Sequence, residues 1–453
     1  MLRTDPKPFL QRDGVFRSQI VPIIFLYIIR MHNLNLPDNQ NPLIEILLSC
    51  LHRDSSRFPI DQLHELHSDQ WNTLVDLAVE HRVVPMLHQK LSENNVTDAI
   101  DKDDYAFKTL LAYSRQVAKN NLRFLGELRA FLQECNQNQI PVILLKGIYL
   151  AGQVYDNPGL REMNDIDLLF KSSDLDLAYR ILTGMGYQSI NPVQIENIEN
   201  VISQHQHLAP LVREDVAAFE LHWNITRPGK IYSINPGELW ARVEPVKIAG
   251  EEACSLCPED LLLHLCIHTS YQHNFSFGLR PFIDIAEVIS KEKDRFNWTL
   301  FTKRVQKFQC GRGVFLALKI SQSFIGASVP ENVFTGLQPD DFDDQIMKTA
   351  VKQIFTKKEE SGNVTPAMVN FAKDTSLSGR AKIILNQIFW PEHVMIKYYP
   401  VRKGSPKLYF YYLIRFWEVF KRNAGSTLKV FSKDAHLTGI ADRKQKLRNW
   451  MKI

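Results

Sequence analysis

Two carboxylates one residue apart, Asp165 and Asp167 within Asn164-Asp165-Ile166-Asp167-Leu168-Leu169-Phe170, speak most directly of chemistry in this chain. In a strand, residues two apart share a face, so both acids point the same way while Ile166 and Leu168 point into packing. Like charges held that close repel, and a cation or hydrogen-bond donors must compensate them. Magnesium suits such a pair, because it takes one or two protein carboxylates and fills its other positions with water and phosphate oxygens. A solvated strand edge would carry the same two residues with no ligand at all. Upstream, Lys146-Gly147 follows the apolar run Val142 to Leu145 and precedes Ile148, Leu150, Ala151 and Val154 at helical spacing. That pattern predicts a buried strand, a turn and a helix, stopped by Asp156, Asn157, Pro158 and Gly159. Amides at a helix N-terminus beside a glycine make an anion site, to which Lys146 and Arg161 would add charge.

Taken in order, Lys146-Gly147, Tyr155, Pro158-Gly159, Arg161 and Asp165-Ile166-Asp167-Leu168-Leu169 resemble the bacterial uncharacterised nucleotidyltransferase family, a branch of the DNA polymerase β-like superfamily. Phe219-Glu220-Leu221-His222-Trp223 stands where that family has a third acid followed by Leu-His-Trp. Pro258-Glu259-Asp260-Leu261 through His268, and then Leu279 to Ile285, are similar to its later helices, so the likeness runs from about Leu122 to Pro330. The wider superfamily has Gly-Gly or Gly-Ser and a shorter spacer where this chain has Lys146-Gly147.

The resemblance implies an enzyme that transfers a nucleoside monophosphate from a nucleoside triphosphate such as ATP to an acceptor hydroxyl, with magnesium, or manganese in its place. It implies that Asp165, Asp167 and Glu220 are both catalytic and metal-binding. By the same likeness Lys146, Gly147 and Arg161 bind the nucleotide, and His268 and Asp284 stand about the mouth of the site; His222 either orients a substrate there or hydrogen-bonds within the sheet. The alternative is an inactive nucleotide-binding or interaction protein on the same fold. Asp-x-Asp and Lys-Gly leave the acceptor open between a small metabolite or sugar, a protein side chain and an RNA end.

The elements that must position these residues suggest an α+β chain: a small mixed β-sheet nucleotidyltransferase core with flanking helical regions. The expected divisions are an extension over 1–40, helices over 41–135, the core over 136–250, helices over 251–330 and a basic helical region over 331–453. Apolar residues at helical spacing, Leu43-Ile46-Leu47-Cys50-Leu51 and Trp71-Leu74-Val75-Leu77-Ala78, mark the first helices, with Ser68-Asp69 as a cap. Tyr105 to Cys135 reads as one long helix or two. Ser172-Ser173 opens another, ended by Gly184. His207 to Val212 and Val216 to Asn224 read as a hairpin on whose second strand Glu220 and His222 share a face. Glu220 joins the aspartates only if that strand lies beside theirs.

Cys254-x-x-Cys257 with Cys266, His264, His268 and His273 invites a zinc reading. Against it, Cys257-Pro258-Glu259-Asp260 looks like a helix start and Cys266 falls on an apolar ladder, where cysteine behaves as a small hydrophobe. Six scattered cysteines imply no disulfide framework and a reducing, cytoplasmic setting. Ile20 to Ile29 is too short to cross a membrane and lacks a small-residue cleavage site after it, so 1–30 is expected to be an extension or a disordered arm. The chain's net charge is +4, but from Ala381 onward 15 Lys and Arg face 4 Asp and Glu, +11 against −7 for the rest. There the aromatic segment Leu408 to Phe420 suits packing, contact with an anionic membrane surface or, less well, nucleic acid. Packing is favoured because its aromatic residues run nearly all round.

Overall fold

The architecture is taken from a computed structural model, which describes residues 42–191, 198–214, 216–356, 404–417 and 435–452, with a few scattered positions between 378 and 395. The extension over 1–40 lies outside them, as do most of 357–403 and of 418–434.

Seven strands form one mixed sheet in the order β3-β4-β5-β2-β1-β7-β6. The strands are β1 (Ile143–Leu144), β2 (Asp165–Leu169), β3 (Gln188–Ser189), β4 (Leu211–Val212), β5 (Ala218–His222), β6 (Glu244–Ile248) and β7 (Glu251–Ser255). The expected hairpin exists, with β4 antiparallel to β5 and an added bridge between His207 and His222. Its second strand does lie beside the acidic one. β2 and β5 pair parallel, with Asp165 opposite Ala218 and Asp167 opposite Glu220. Parallel neighbours in that register present alternate side chains to the same face, so Asp165, Asp167, Glu220 and His222 share one side of the sheet. Ile166, Leu168, Phe219 and Leu221 take the other and are wholly buried. β6 and β7 close through Ala249-Gly250, both at positive φ (49° and 89°), the geometry a two-residue hairpin turn requires.

A long helix covers much of the apolar face. Of helices α1 (Pro42–Leu51), α2 (Ser68–Glu80), α3 (Val84–Glu93) and α4 (Tyr105–Gln137), the last runs unbroken through the stretch read as one helix or two. Its Phe131 meets Phe170 and Phe219 edge-on, with ring centres 6.2 and 5.3 Å apart. Its Asn121, wholly buried, donates Nδ2–H to the carbonyls of Pro158 and Arg161 at 2.6 and 2.7 Å, fixing the loop that feeds β2. The cap of α2 is one residue earlier than expected: His67 is the N-cap, its amide donating to Gln70 Oε1 at 2.9 Å, while Ser68 is already helical. The β2–β5 crossover carries α6 (Leu175–Gly184), preceded by a 3₁₀ turn at Ser172–Asp174. Its left-handed stop is Gly186 (φ 89°), two residues beyond Gly184.

Between β1 and β2 lies α5 (Lys146–Tyr149), continued by a π turn, Leu150–Val154. On the polar side of the sheet stand α7 (Pro258–Ile267), which continues as a second π turn (His268–Gln272), α8 (Arg280–Lys291), α9 (Trp298–Lys307) and α10 (Gly311–Ile325). Cys257 is the N-cap of α7, as its Pro-Glu-Asp start suggested. All six cysteines are free, and Cys257 accepts from Arg304 Nη1 at 3.1 Å. A short helix, Glu331–Leu337, occupies the stretch read as a boundary; α11 (Asp344–Ile354) and α12 (Ala435–Met451) follow. Among the described residues no helix is long and apolar enough to cross a membrane. Residues 407–417 are helical and expose Tyr409, Phe410, Leu413, Phe416 and Trp417, which helical spacing gathers on one side; Arg415, on the other, is buried.

Candidate functional site

The polar face of β2 and β5 opens into a cavity of about 600 Å³. Lys146 enters it from the turn after β1, with its backbone at φ 38°, a left-handed conformation rare for a side-chain-bearing residue and common where function dictates the turn. Its Nζ lies 3.1 Å from Asp167 Oδ1. His222 Nε2 lies 2.8 Å from the same oxygen and 3.4 Å from Glu220 Oε2. Ligand atoms of Asp167, Glu220 and His222 all fall within 4.8 Å of one another.

The electrostatics follow from that geometry. Burial alone would raise Asp167, but the Lys146 ammonium and the His222 N–H outweigh it and hold the carboxyl well below its usual range. His222 is raised: burial opposes its charge, and the hydrogen bonds to Asp167 and Glu220 prevail. Lys146 is likewise raised against burial by Asp167, Asp165 and Glu220. Asp165 behaves differently. Burial, and then the Asp167 charge, push it up to about 6. Among the described residues no basic group lies within ion-pairing distance of Asp165, which lines the cavity outside the three-donor group.

Two oxygens and one imidazole nitrogen form a donor set that suits a divalent cation of the magnesium or manganese kind. His222 Nδ1 is buried without a partner, so the ring can carry its proton there when Nε2 is used as a ligand. The residues present therefore fit a metal: Asp167 and Glu220 from the expected set, joined by His222, with Asp165 on the same face of the sheet and the same cavity wall.

Two other expected site residues are engaged with each other. Arg161 donates Nε–H and Nη2–H to Asp284 Oδ1 and Oδ2 at 2.9 and 2.8 Å, and Tyr155 donates its hydroxyl to Oδ1 at 2.8 Å. Asp284 is buried in α8 and does not line the cavity, whereas Arg161 reaches its wall. Gly147 explains its own lack of a side chain here: a Cβ would come 2.9 Å from Arg161 Nη1. His268, on the π turn after α7, lines the cavity, and its Nε2 lies 3.1 Å from that of His273. Burial, then Lys146 and His273, push His268 well below its usual value, so it is neutral.

A model of the uncharacterised nucleotidyltransferase family matches residues 67–326, more than half of the chain. The chain belongs to that family. Neither curated proteins nor solved structures gave a match. The family's matched span contains β1 to β7 and helices α2 to α10, that is, the sheet and most of the cavity wall.

Some cavity residues of this nucleotidyltransferase-family chain carried no motif. His207, whose Nδ1 is 3.9 Å from Glu220 Oε2 and whose ring lies 4.8 Å from His222, follows a polar stretch; only its position on the hairpin's first strand pointed to it. Arg82, Arg280 and Arg448 also line the cavity, brought from distant parts of the sequence by packing.

Proposed function

We propose that this chain catalyses divalent-metal-dependent transfer of a nucleoside monophosphate from a nucleoside triphosphate to an acceptor hydroxyl. One observation carries the reading: Asp167 and Glu220 stand opposite each other on adjacent parallel strands, facing a cavity with Lys146. Membership of the family supports it.

Asp167, Glu220 and His222 are the residues that would hold the cation. Bound there, magnesium or manganese supplies charge neutralisation for phosphate oxygens and for a developing alkoxide. Lys146 shares Asp167 Oδ1 with His222 and is the cation that would turn to the phosphates when another charge takes its place on that oxygen. We assign acceptance of the acceptor's proton to Asp165, because its carboxylate is engaged neither by Lys146 nor by His222. His268, neutral and on the cavity wall, suits a hydrogen bond to substrate. Arg161 acts at one remove, by packing against Gly147 and so shaping the turn that carries Lys146.

The test is magnesium-dependent release of pyrophosphate from α-labelled ATP, with label appearing on acceptor, in wild type and Asp167→Ala. The expected result is a fall of at least about 10³-fold in the variant. Turnover unchanged by the substitution would remove the assignment. Nucleotide bound with magnesium but never turned over would favour the alternative, a binding protein that kept the fold.

A further inference from the structure

Seven Lys and Arg side chains line the cavity against five carboxylates; among the described residues those with no carboxylate within 4.0 Å are Arg280, whose Nη1 donates to the Glu162 carbonyl at 2.8 Å, and a group of three beyond the end of β5. Lys146 is paired with Asp167, Arg161 with Asp284, and Arg82 Nε lies 3.7 Å from a Glu162 oxygen. Across the cavity, beyond the end of β5, three more cations line the wall: Arg227 and Lys230 on the loop after β5, and Arg448 in the last turn of α12. Among the described residues none of these three has a carboxylate within 4.0 Å. Arg227 donates Nε–H to Gln206 Oε1 at 3.0 Å, a neutral partner that fixes the guanidinium and leaves its charge uncompensated.

Arg227 and Arg448 share a neighbour. Tyr232, also on this wall, feels both Arg227 and Arg448: burial raises its phenol and the two guanidinium groups work against that rise. Its ring packs 4.4 Å from that of Tyr271, whose hydroxyl accepts from the Gly313 amide at 3.2 Å, so the corner is braced from α10. α12 is seated by buried Leu447, Trp450 and Met451, and Asn274 Nδ2 donates to its Lys444 carbonyl at 3.1 Å. Arg227 and Lys230 are exposed and Arg448 half-buried, so water screens their mutual repulsion, and together they give this side of the cavity mouth a positive field that favours an anion.

We propose that Arg227, Lys230 and Arg448 form a second anion subsite, which takes a phosphoryl group of a substrate lying between this corner and the carboxylates. Its ligand class rests on the nucleotidyltransferase reading; its existence does not. Guanidinium forks match phosphate oxygens in pairs, and a lysine adds a point charge. Arg448 lies outside the family-matched span of 67–326, so in this chain the C-terminal helix α12 supplies part of the substrate site. The phosphoryl group is either the tail of the nucleotide or a phosphate on the acceptor.

Isothermal titration of inorganic phosphate into the full chain at low salt tests this, in wild type, Arg227→Ala, Arg448→Ala and Arg448→Lys. Wild type is expected to bind, each alanine variant to weaken binding by about tenfold, and the lysine variant to recover part of the loss. Far-ultraviolet circular dichroism and the melting temperature, unchanged in the variants, establish that α12 has stayed seated. Repeating the titration with magnesium and a nonhydrolysable ATP analogue separates the sources: displacement of phosphate assigns the corner to the nucleotide tail, simultaneous binding to the acceptor. No phosphate binding by wild type, or binding unaffected by both alanine substitutions, would overturn the subsite. Failure of the analogue to bind in wild type would count against the enzyme reading, and phosphate binding would still decide the corner.

Discussion

Removing Arg161 distinguishes a phosphate-binding arginine from a structural one. Its side chain is 7% exposed and that of Asp284 is 4%, and two parallel hydrogen bonds join them, so Arg161→Met strands a carboxylate among α8, Tyr155 and the loop after α5. Breaking a buried pair from one side costs about 3–5 kcal/mol, because the remaining charge keeps its desolvation penalty. Tyr155 would still donate its hydroxyl to the stranded carboxylate, which places the expectation at the lower end, near 3 kcal/mol. Arg161→Met with Asp284→Leu removes both charges and leaves mainly the Tyr155 hydroxyl unsatisfied, at about 1–3 kcal/mol. The double variant should therefore be no less stable than the single one, and since Asp284→Leu alone strands the buried guanidinium at about 3 kcal/mol as well, the cycle should show a coupling of about 3–5 kcal/mol. Urea unfolding followed by tryptophan fluorescence measures these differences, and nucleotide binding is then compared where every variant is folded. Arg161→Met with wild-type stability and abolished nucleotide binding would refute the structural assignment and return Arg161 to the phosphates.

Other perturbations read other parts of the cavity. His81, buried against Phe355, is pushed down to about 4 from 6.5 by burial, so between those values the unfolded chain binds the proton and the folded one does not. Stability should be full above about pH 6.5 and fall as the pH drops towards 4, by up to about 3 kcal/mol, and His81→Gln should flatten that part of a melting-temperature profile. Gly278 sits at φ 68°, with His81 Nδ1 and Cα 2.7 and 3.1 Å from where a Cβ would be, so Gly278→Ala should cost about 1–3 kcal/mol in unfolding free energy. Lys146→Met removes a positive charge from the oxygen that would hold a metal. Manganese binding without nucleotide, followed by electron paramagnetic resonance, should tighten by about tenfold while binding of the ATP analogue weakens.

The parts of the fold that local pattern encodes were legible. Alternation in Asp165-Ile166-Asp167-Leu168 and in Phe219-Glu220-Leu221-His222 put the polar residues on one face of each strand, and the structure has them there. Helical periodicity found α1 and α2, and Pro258-Glu259-Asp260 found the start of α7. Which strands lie side by side is a non-local fact, so Glu220 could be joined to Asp167 only by resemblance until the parallel pairing of β2 and β5 was seen. The same limit hid the partner of Arg161. A basic residue near an acidic motif reads as a phosphate ligand, because the sequence holds no sign that Asp284 packs beneath it.

Two aspartates of this chain are held by basic side chains, and their surroundings set them to different tasks. Asp284 meets Arg161 with both oxygens and Tyr155 with one, leaving little of its lone-pair capacity unused; such a carboxylate is fixed, and its charge is spent inside the protein. At Asp167 the contacts of Lys146 and His222 converge on Oδ1, and neither is made to Oδ2. Lys146 is also a flexible ammonium rather than a fork, able to leave one acceptor for another without breaking a bidentate geometry. A pair built that way exchanges partners at low cost, which a site that must admit a cation and a polyphosphate requires and a purely structural ion pair does not. The fixed pair in turn supports the exchangeable one: Arg161, held by Asp284, fills the space beside Gly147 and so fixes the turn from which Lys146 reaches Asp167.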